Sequence, residues 1–152
     1  MNNFQKAREF YEQTIKENNG KDKSIESQAL VGLANLSKLP KEALKILNKA
    51  IEIDDKNSLA YGARGALYMD SFGKVDDAFR DLKKAIALNK YDAIIFFNMG
   101  QLFVNYTDQI DSAIVYFEKA IELSPQSPNN DVIFMNLAVI SHRTGNLNKA
   151  IT

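Results

Sequence analysis

Asn48-Lys49-Ala50-Ile51-Glu52-Ile53 holds a triplet, Lys49-Ala50-Ile51, that returns as Lys84-Ala85-Ile86 and again as Lys119-Ala120-Ile121, each time 35 residues further on. A constant interval of about 20 to 50 residues marks stacked supersecondary units. The agreement runs deeper than the triplet. Tyr61, Gly65, Tyr68, Ala78 and Ala85 are answered 35 residues later by Phe96, Gly100, Phe103, Ala113 and Ala120.

Within each unit the apolar residues keep helical spacing. Ala78, Phe79, Leu82, Ala85 and Ile86 fall on one stripe, as do Tyr61, Gly65, Leu67 and Tyr68. Breakers separate the two stripes: Ser71-Phe72-Gly73-Lys74, Asn105-Tyr106-Thr107-Asp108 and Thr144-Gly145-Asn146. Each unit therefore reads as helix, turn, helix. Two antiparallel helices approach to about 8–10 Å only if the residue at their crossing is small. Ala43, Ala50, Ala78, Ala85, Ala113 and Ala120 are expected at those crossings, with the neighbouring isoleucines filling the gap toward the next unit. The lysine before each triplet alanine reads as a solvated face.

Composition limits the function. The 152 residues carry 19 basic and 19 acidic side chains and no cysteine. Without a net field, nucleic acid and anionic membrane surfaces are disfavoured as partners. Without cysteine there is no thiolate metal site, no disulfide and no cysteine nucleophile. The opening residues lack the apolar run of a signal peptide, and the longest apolar stretch, Ala93 to Val104, is too short and too interrupted to insert in a membrane. A cytoplasmic location is the expectation. Catalytic motifs are missing as well: His142 is the single histidine, Gly73-Lys74 lacks the rest of a phosphate loop, and no cofactor is implied. The chain is not expected to be an enzyme. The Asn35-Leu36-Ser37 and Asn105-Tyr106-Thr107 triplets fit the glycosylation pattern but read as turn chemistry. Arg64, at a nominally apolar place, is expected to lay its stem on the core and send its guanidinium to water. Tyr106 and Tyr116 read as surface aromatics.

The sequence Phe96-x2-Met99-Gly100-x2-Phe103, followed by Ala113-x3-Phe117, Ala120 and Pro125, resembles the tetratricopeptide repeat. Tyr61, Gly65, Tyr68, Ala78, Leu82 and Ala85 resemble it too, with Arg64 where leucine is usual and Lys90 where proline is. Phe134-x2-Leu137-Ala138, then Gly145 and Ala150, look like a further unit. The resemblance implies an all-α fold, an α-α solenoid coiled as a right-handed superhelix, with about three to four helix-turn-helix repeats and partial terminal ones. A single domain over 1–152 is expected, with helix pairs near 24–54, 57–88 and 91–123, an incomplete pair over 129–152, and a lone second helix over 3–18.

The ends and the irregularities carry their own expectations. Asn18-Asn19-Gly20 should stop the first helix, and Pro40 suits the first turn of another. The period of 35, one longer than the family's usual spacing, is assigned to the turn, and Ser124 to Pro128 lengthen the connection to Phe134 by three residues. Lys149-Ala150-Ile151 breaks the interval and is read as the start of a second helix. Leu137, Ile140 and Ile151 would then lack a covering helix, so the chain is expected to be a segment of a longer repeat protein or to self-associate through an uncapped C-terminal end.

The family resemblance further implies a concave groove lined by first helices. It assigns to that groove Leu59, Gly62, Ala63, Ala66 and Asp70 of one unit, Ile94, Phe97, Asn98, Gln101 and Asn105 of the next, and Val132, Met135, Asn136, Val139 and Arg143 of the last. Asn98 and Asn136 would grip a peptide backbone, since an amide side chain both donates and accepts. The face is mostly apolar and nearly free of Lys and Arg, so clamping of a terminal carboxylate is disfavoured. A protein or peptide ligand with apolar anchors, bound by a scaffold or adaptor, is the leading expectation. A structural spacer or self-association module stands beside it. Binding of RNA, suggested by the 35-residue period of pentatricopeptide repeats, is argued against by the neutral, apolar face.

Overall fold

The computed structural model describes residues 3–144, with side chains to His142. Its described residues contain eight α-helices and no strand: α1 (Asn3–Asn18), α2 (Lys23–Leu36), α3 (Pro40–Ile53), α4 (Ser58–Phe72), α5 (Val75–Leu88), α6 (Ala93–Tyr106), α7 (Ile110–Leu123) and α8 (Asn130–Thr144). The Lys149-Ala150-Ile151 triplet, Gly145 and Asn146 lie outside the described residues. The chain forms two compact units divided in sequence between Lys90 and Tyr91, one holding α1 to α5 and the other α6 to α8.

Helix boundaries follow from local chemistry. Asp22, Asn57 and Asp92 are the N-caps of α2, α4 and α6, themselves 35 residues apart. The Oδ1 of Asp22 accepts from the N–H groups of Ser24 and Ile25, that of Asn57 from Leu59 and Ala60, and that of Asp92 from Ile94. These bonds satisfy donors that the first turn cannot pair internally. Pro40 opens α3 in the position where its missing N–H costs nothing. Helix α1 ends at Asn18, and Asn19 (φ 45°) and Gly20 (φ 74°) turn the chain away from it. Gly73 ends α4 at φ 60°, ψ 23°, a left-handed conformation that a residue without Cβ adopts freely. Ser71 and Phe72, expected in a turn, form the last residues of α4, because this left-handed glycine is what stops the helix. Asn105 and Tyr106 likewise close α6, leaving Thr107 to Gln109 as the connection.

The six crossing alanines are buried as their size requires. Ala78, Ala85 and Ala113 are 0% exposed, and Ala43, Ala50 and Ala120 are at most 5%. Glycine serves the same end on the opposite helix. A Cβ on Gly100 would stand 2.5 Å from the Phe117 ring, and one on Gly65 would stand 2.9 Å from Leu82. The vacated space seats Phe117 and Leu82, both fully buried, each contributing roughly 1.5–3 kcal/mol of burial. In the first unit Leu30, Val31, Ala34, Ala43, Leu47, Ala50 and Ala60 form one apolar cluster, and Ile51 packs against it as its place after the alanine implies. Ser27 crosses that cluster: its Oγ donates to the Ala50 carbonyl at 2.8 Å and accepts from Asn57 Nδ2 at 2.7 Å. One hydroxyl thereby joins α2, α3 and the cap of α4.

Arg64 does not send its guanidinium to water. Nε donates to Asp81 Oδ2 at 2.6 Å, Nη2 to Asp81 Oδ1 at 2.9 Å, and Nη1 to Asn48 Oδ1 at 2.8 Å. The side chains of Arg64 and Asp81 are only 18% and 7% exposed. The Tyr61 and Tyr68 rings lie 5.6 and 5.8 Å from the guanidinium carbon, so its faces are covered as well as its edge. The hydrogen bond to Asp81 raises the Arg64 pKa above its usual value despite burial. Tyr116 departs from expectation too: it is half-buried and its ring stacks on Phe103 at 5.4 Å with 10° between planes. Tyr116 stands 35 residues after Asp81, and Met99 stands 35 after Arg64. The positions of the ion pair in one repeat are thus held by methionine and tyrosine in the next.

Candidate interaction surfaces

The expected groove residues are distributed over both units, and each unit presents its own surface. In the first, Ala63, Ala66 and Asp70 recur along one side of α4 and line a cleft of roughly 270 Å³. Its opposite walls are Ala34, Asn35 and Lys38 from the end of α2 and its turn, with Ala43 and Leu47 of α3. Leu59 is exposed one turn nearer the start of α4 and does not line the cleft. Gly62 is buried, so it belongs to the packing of α4 and not to an accessible surface.

Asp70 stands at the edge of this cleft. The residue reaches solvent, yet burial on the cleft side pushes its carboxyl above the ordinary aspartate range. The helix partners that shape the cleft escape a reading of the sequence because α2 matches the repeat pattern weakly. The cue is present in Asn35 to Pro40, a polar turn held next to two crossing residues.

In the second unit, Ile94, Phe97 and Gln101 follow one another at three and four residues along α6, and Val132, Met135, Asn136 and Val139 do so along α8. Asn136 Nδ2 donates to Gln101 Oε1 at 2.8 Å, which fixes the two rows side by side. The same two helices carry large apolar side chains in the open: Ile94 is 57% exposed, Met135 64% and Val139 51%. Phe97 is partly drawn into the core, its ring 6.3 Å from that of Phe117. Asn98 is half-buried and its side chain makes no hydrogen bond among the described residues, while the Asn136 side chain is joined to Gln101. Asn105 is exposed at the end of α6, and the Arg143 side chain lies outside the described residues. Among the described residues no group of His, Cys, Asp and Glu side chains has the arrangement of a metal site, and no helix is long and apolar enough to cross a membrane.

Residues 93–127 match the family model of the tetratricopeptide repeat. Solved structures share the architecture over most of the chain. A crystal structure of MamA aligns with 97% of this chain and 82% of its own, at 22% identity and a TM-score of 0.71. MamA from Desulfovibrio magneticus RS-1 aligns over 97% and 88%, at 17% identity and a TM-score of 0.66. TTC0263, a thermophilic tetratricopeptide-repeat protein of Thermus thermophilus, aligns over 87% and 72%, at 22% identity and a TM-score of 0.62. At these identities the likeness is one of fold. No curated protein matches the chain in sequence.

Proposed function

We propose that this chain, a tetratricopeptide-repeat protein by its residues 93–127 and by its fold, binds a segment of another protein on the face made by α6 and α8. A helical repeat of this kind offers stacked surfaces suited to protein interaction and scaffolding. The finer reading rests on one observation. Ile94, Met135 and Val139, each more than half exposed, lie on the two helices that the Gln101–Asn136 hydrogen bond joins. Covering the part of these three side chains that remains in water is worth roughly 1–2 kcal/mol apiece to a partner.

The amide pair defines what lies between the anchors. Gln101 Oε1 accepts one Asn136 proton, which leaves the Gln101 NH2 donors and the Asn136 Oδ1 acceptor for a ligand backbone. Apolar anchors spaced by backbone contacts suit an extended or helical peptide whose side chains are themselves apolar.

Selection from a random peptide library on the immobilised chain tests this. Recovered peptides should carry two or more large apolar residues, and Met135→Asp or Ile94→Asp should weaken their binding at least about tenfold, as loss of an interface anchor does. Peptides that bind both variants as tightly as the parent chain would overturn it. Loss of chain self-association in the same variants, with no peptide recovered, would instead identify a second copy as the occupant.

A further inference from the structure

The cleft beside Asp70 has a chemistry different from that of the α6–α8 face. Ala34, Ala43, Leu47, Ala63 and Leu67 form an apolar wall, polar side chains from Asn35 to Lys38 complete the lining, and a carboxylate stands at its rim. The Asp70 carboxylate has no hydrogen bond and no ion pair among the described residues. Lys38 lines the same cleft but forms no ion pair with it. At about 270 Å³ the space falls below the ~300–1,000 Å³ of small-molecule and cofactor sites and suits one long side chain.

A carboxylate that has lost water on one side gains most from a group bringing both hydrogen-bond donors and positive charge. An apolar wall beside a rim carboxylate matches a side chain that lays its methylene stem on the wall and keeps its cationic head toward solvent. We propose that this cleft receives a lysine or arginine side chain of a bound peptide, its stem along Leu47, Ala63 and Leu67 and its cation at Asp70. The proposal concerns a segment bound to the first unit and goes beyond the α6–α8 reading, on which it does not depend. The burial-raised carboxyl of Asp70 is consistent with it, because a cation there relieves the cost of desolvation.

The test uses backbone amide NMR of the full chain titrated with N-acetyl-lysine methylamide, and with N-acetyl-norleucine methylamide as the uncharged isostere. The lysine probe should shift the amides of Asn35, Lys38, Ala63, Ala66 and Asp70, and the norleucine probe should shift them several-fold less. Asp70→Asn, a change at an accessible rim, should keep the native helical spectrum and abolish the lysine response. Lys38→Met should leave that response unchanged or strengthen it. Equal response to both probes, an unchanged response in Asp70→Asn, shifts spread evenly over other surface carboxylates, or a weaker response in Lys38→Met would each overturn the proposal. Peptides held by α6 and α8 should retain their affinity in Asp70→Asn, so failure of the lysine probe leaves that face untouched. Failure of peptide selection, conversely, leaves the lysine probe as an independent measurement.

Discussion

Arg64 and Asp81 meet edge to edge across α4 and α5, with two parallel N–H···O bonds of 2.6 and 2.9 Å. Removing one member of such a pair strands the other. Asp81→Ala should therefore destabilise the first unit by about 3 kcal/mol, measured by urea denaturation, because a buried guanidinium loses its counter-charge. Arg64→Met combined with Asp81→Tyr, the residues that the next repeat carries at Met99 and Tyr116, should recover most of that loss. A double variant no more stable than Asp81→Ala would show that the two repeats do not share this packing.

Gly100 and Phe117 are expected to be coupled. Gly100→Ala gains about 1 kcal/mol of helix propensity but drives a methyl into the Phe117 ring, which is fully buried and cannot swing away. A net loss of about 1–3 kcal/mol should follow. Phe117→Leu should make the alanine far less damaging than it is beside phenylalanine, a non-additivity that a double-mutant cycle on thermal unfolding will read.

Ala85 and Ala87 lie on the same helix with opposite environments, the first fully buried and the second exposed. Ala85→Leu should cost about 1–3 kcal/mol by overpacking the α4–α5 crossing. Ala87→Leu should stay within about 0.5 kcal/mol of the parent. Equal melting temperatures for the two variants would remove Ala85 from the crossing.

Asp70 predicts a dependence on pH. Its folded pKa is raised above the unfolded value, so the folded state binds a proton more readily than the unfolded chain does. The Asp70 contribution is neutral below the unfolded value of about 3.9, and it turns unfavourable as pH rises through the folded value. Asp70→Asn should raise the melting temperature at neutral pH and leave it unchanged in strong acid. A variant less stable than the parent at pH 7 would show that the carboxylate has a favourable partner.

The repeat itself is legible because alanine at a helix crossing is a requirement of size, and size is written in each residue independently of its surroundings. Ala50, Ala85 and Ala120 can be placed from their interval alone. Arg64 cannot, since its burial depends on Asp81, 17 positions away on a helix whose other charges face water. Its sequence position offers a long stem at an apolar place, and the partner that makes full burial possible is invisible to a reading of one stripe at a time. The same reason separates Asn98 from Asn136. Both occupy corresponding places in their units, but Asn136 meets an amide partner, Gln101, that lies 35 positions back on another helix. Turn ends go astray where a polar or aromatic residue, Ser71 or Tyr106, reads as a breaker; the actual stop in α4 is the left-handed glycine after it.

The replacement of Arg64 and Asp81 by Met99 and Tyr116 at equivalent places has a genetic consequence. Tandem copies invite unequal crossing-over, which would splice the front half of one copy to the back half of another. Such a hybrid would set an arginine opposite a tyrosine, or a methionine opposite a lone aspartate, and would fold poorly. The two halves of each copy are in this respect matched to each other, and a half taken from its neighbour would leave the buried guanidinium or the buried carboxylate without its counter-charge.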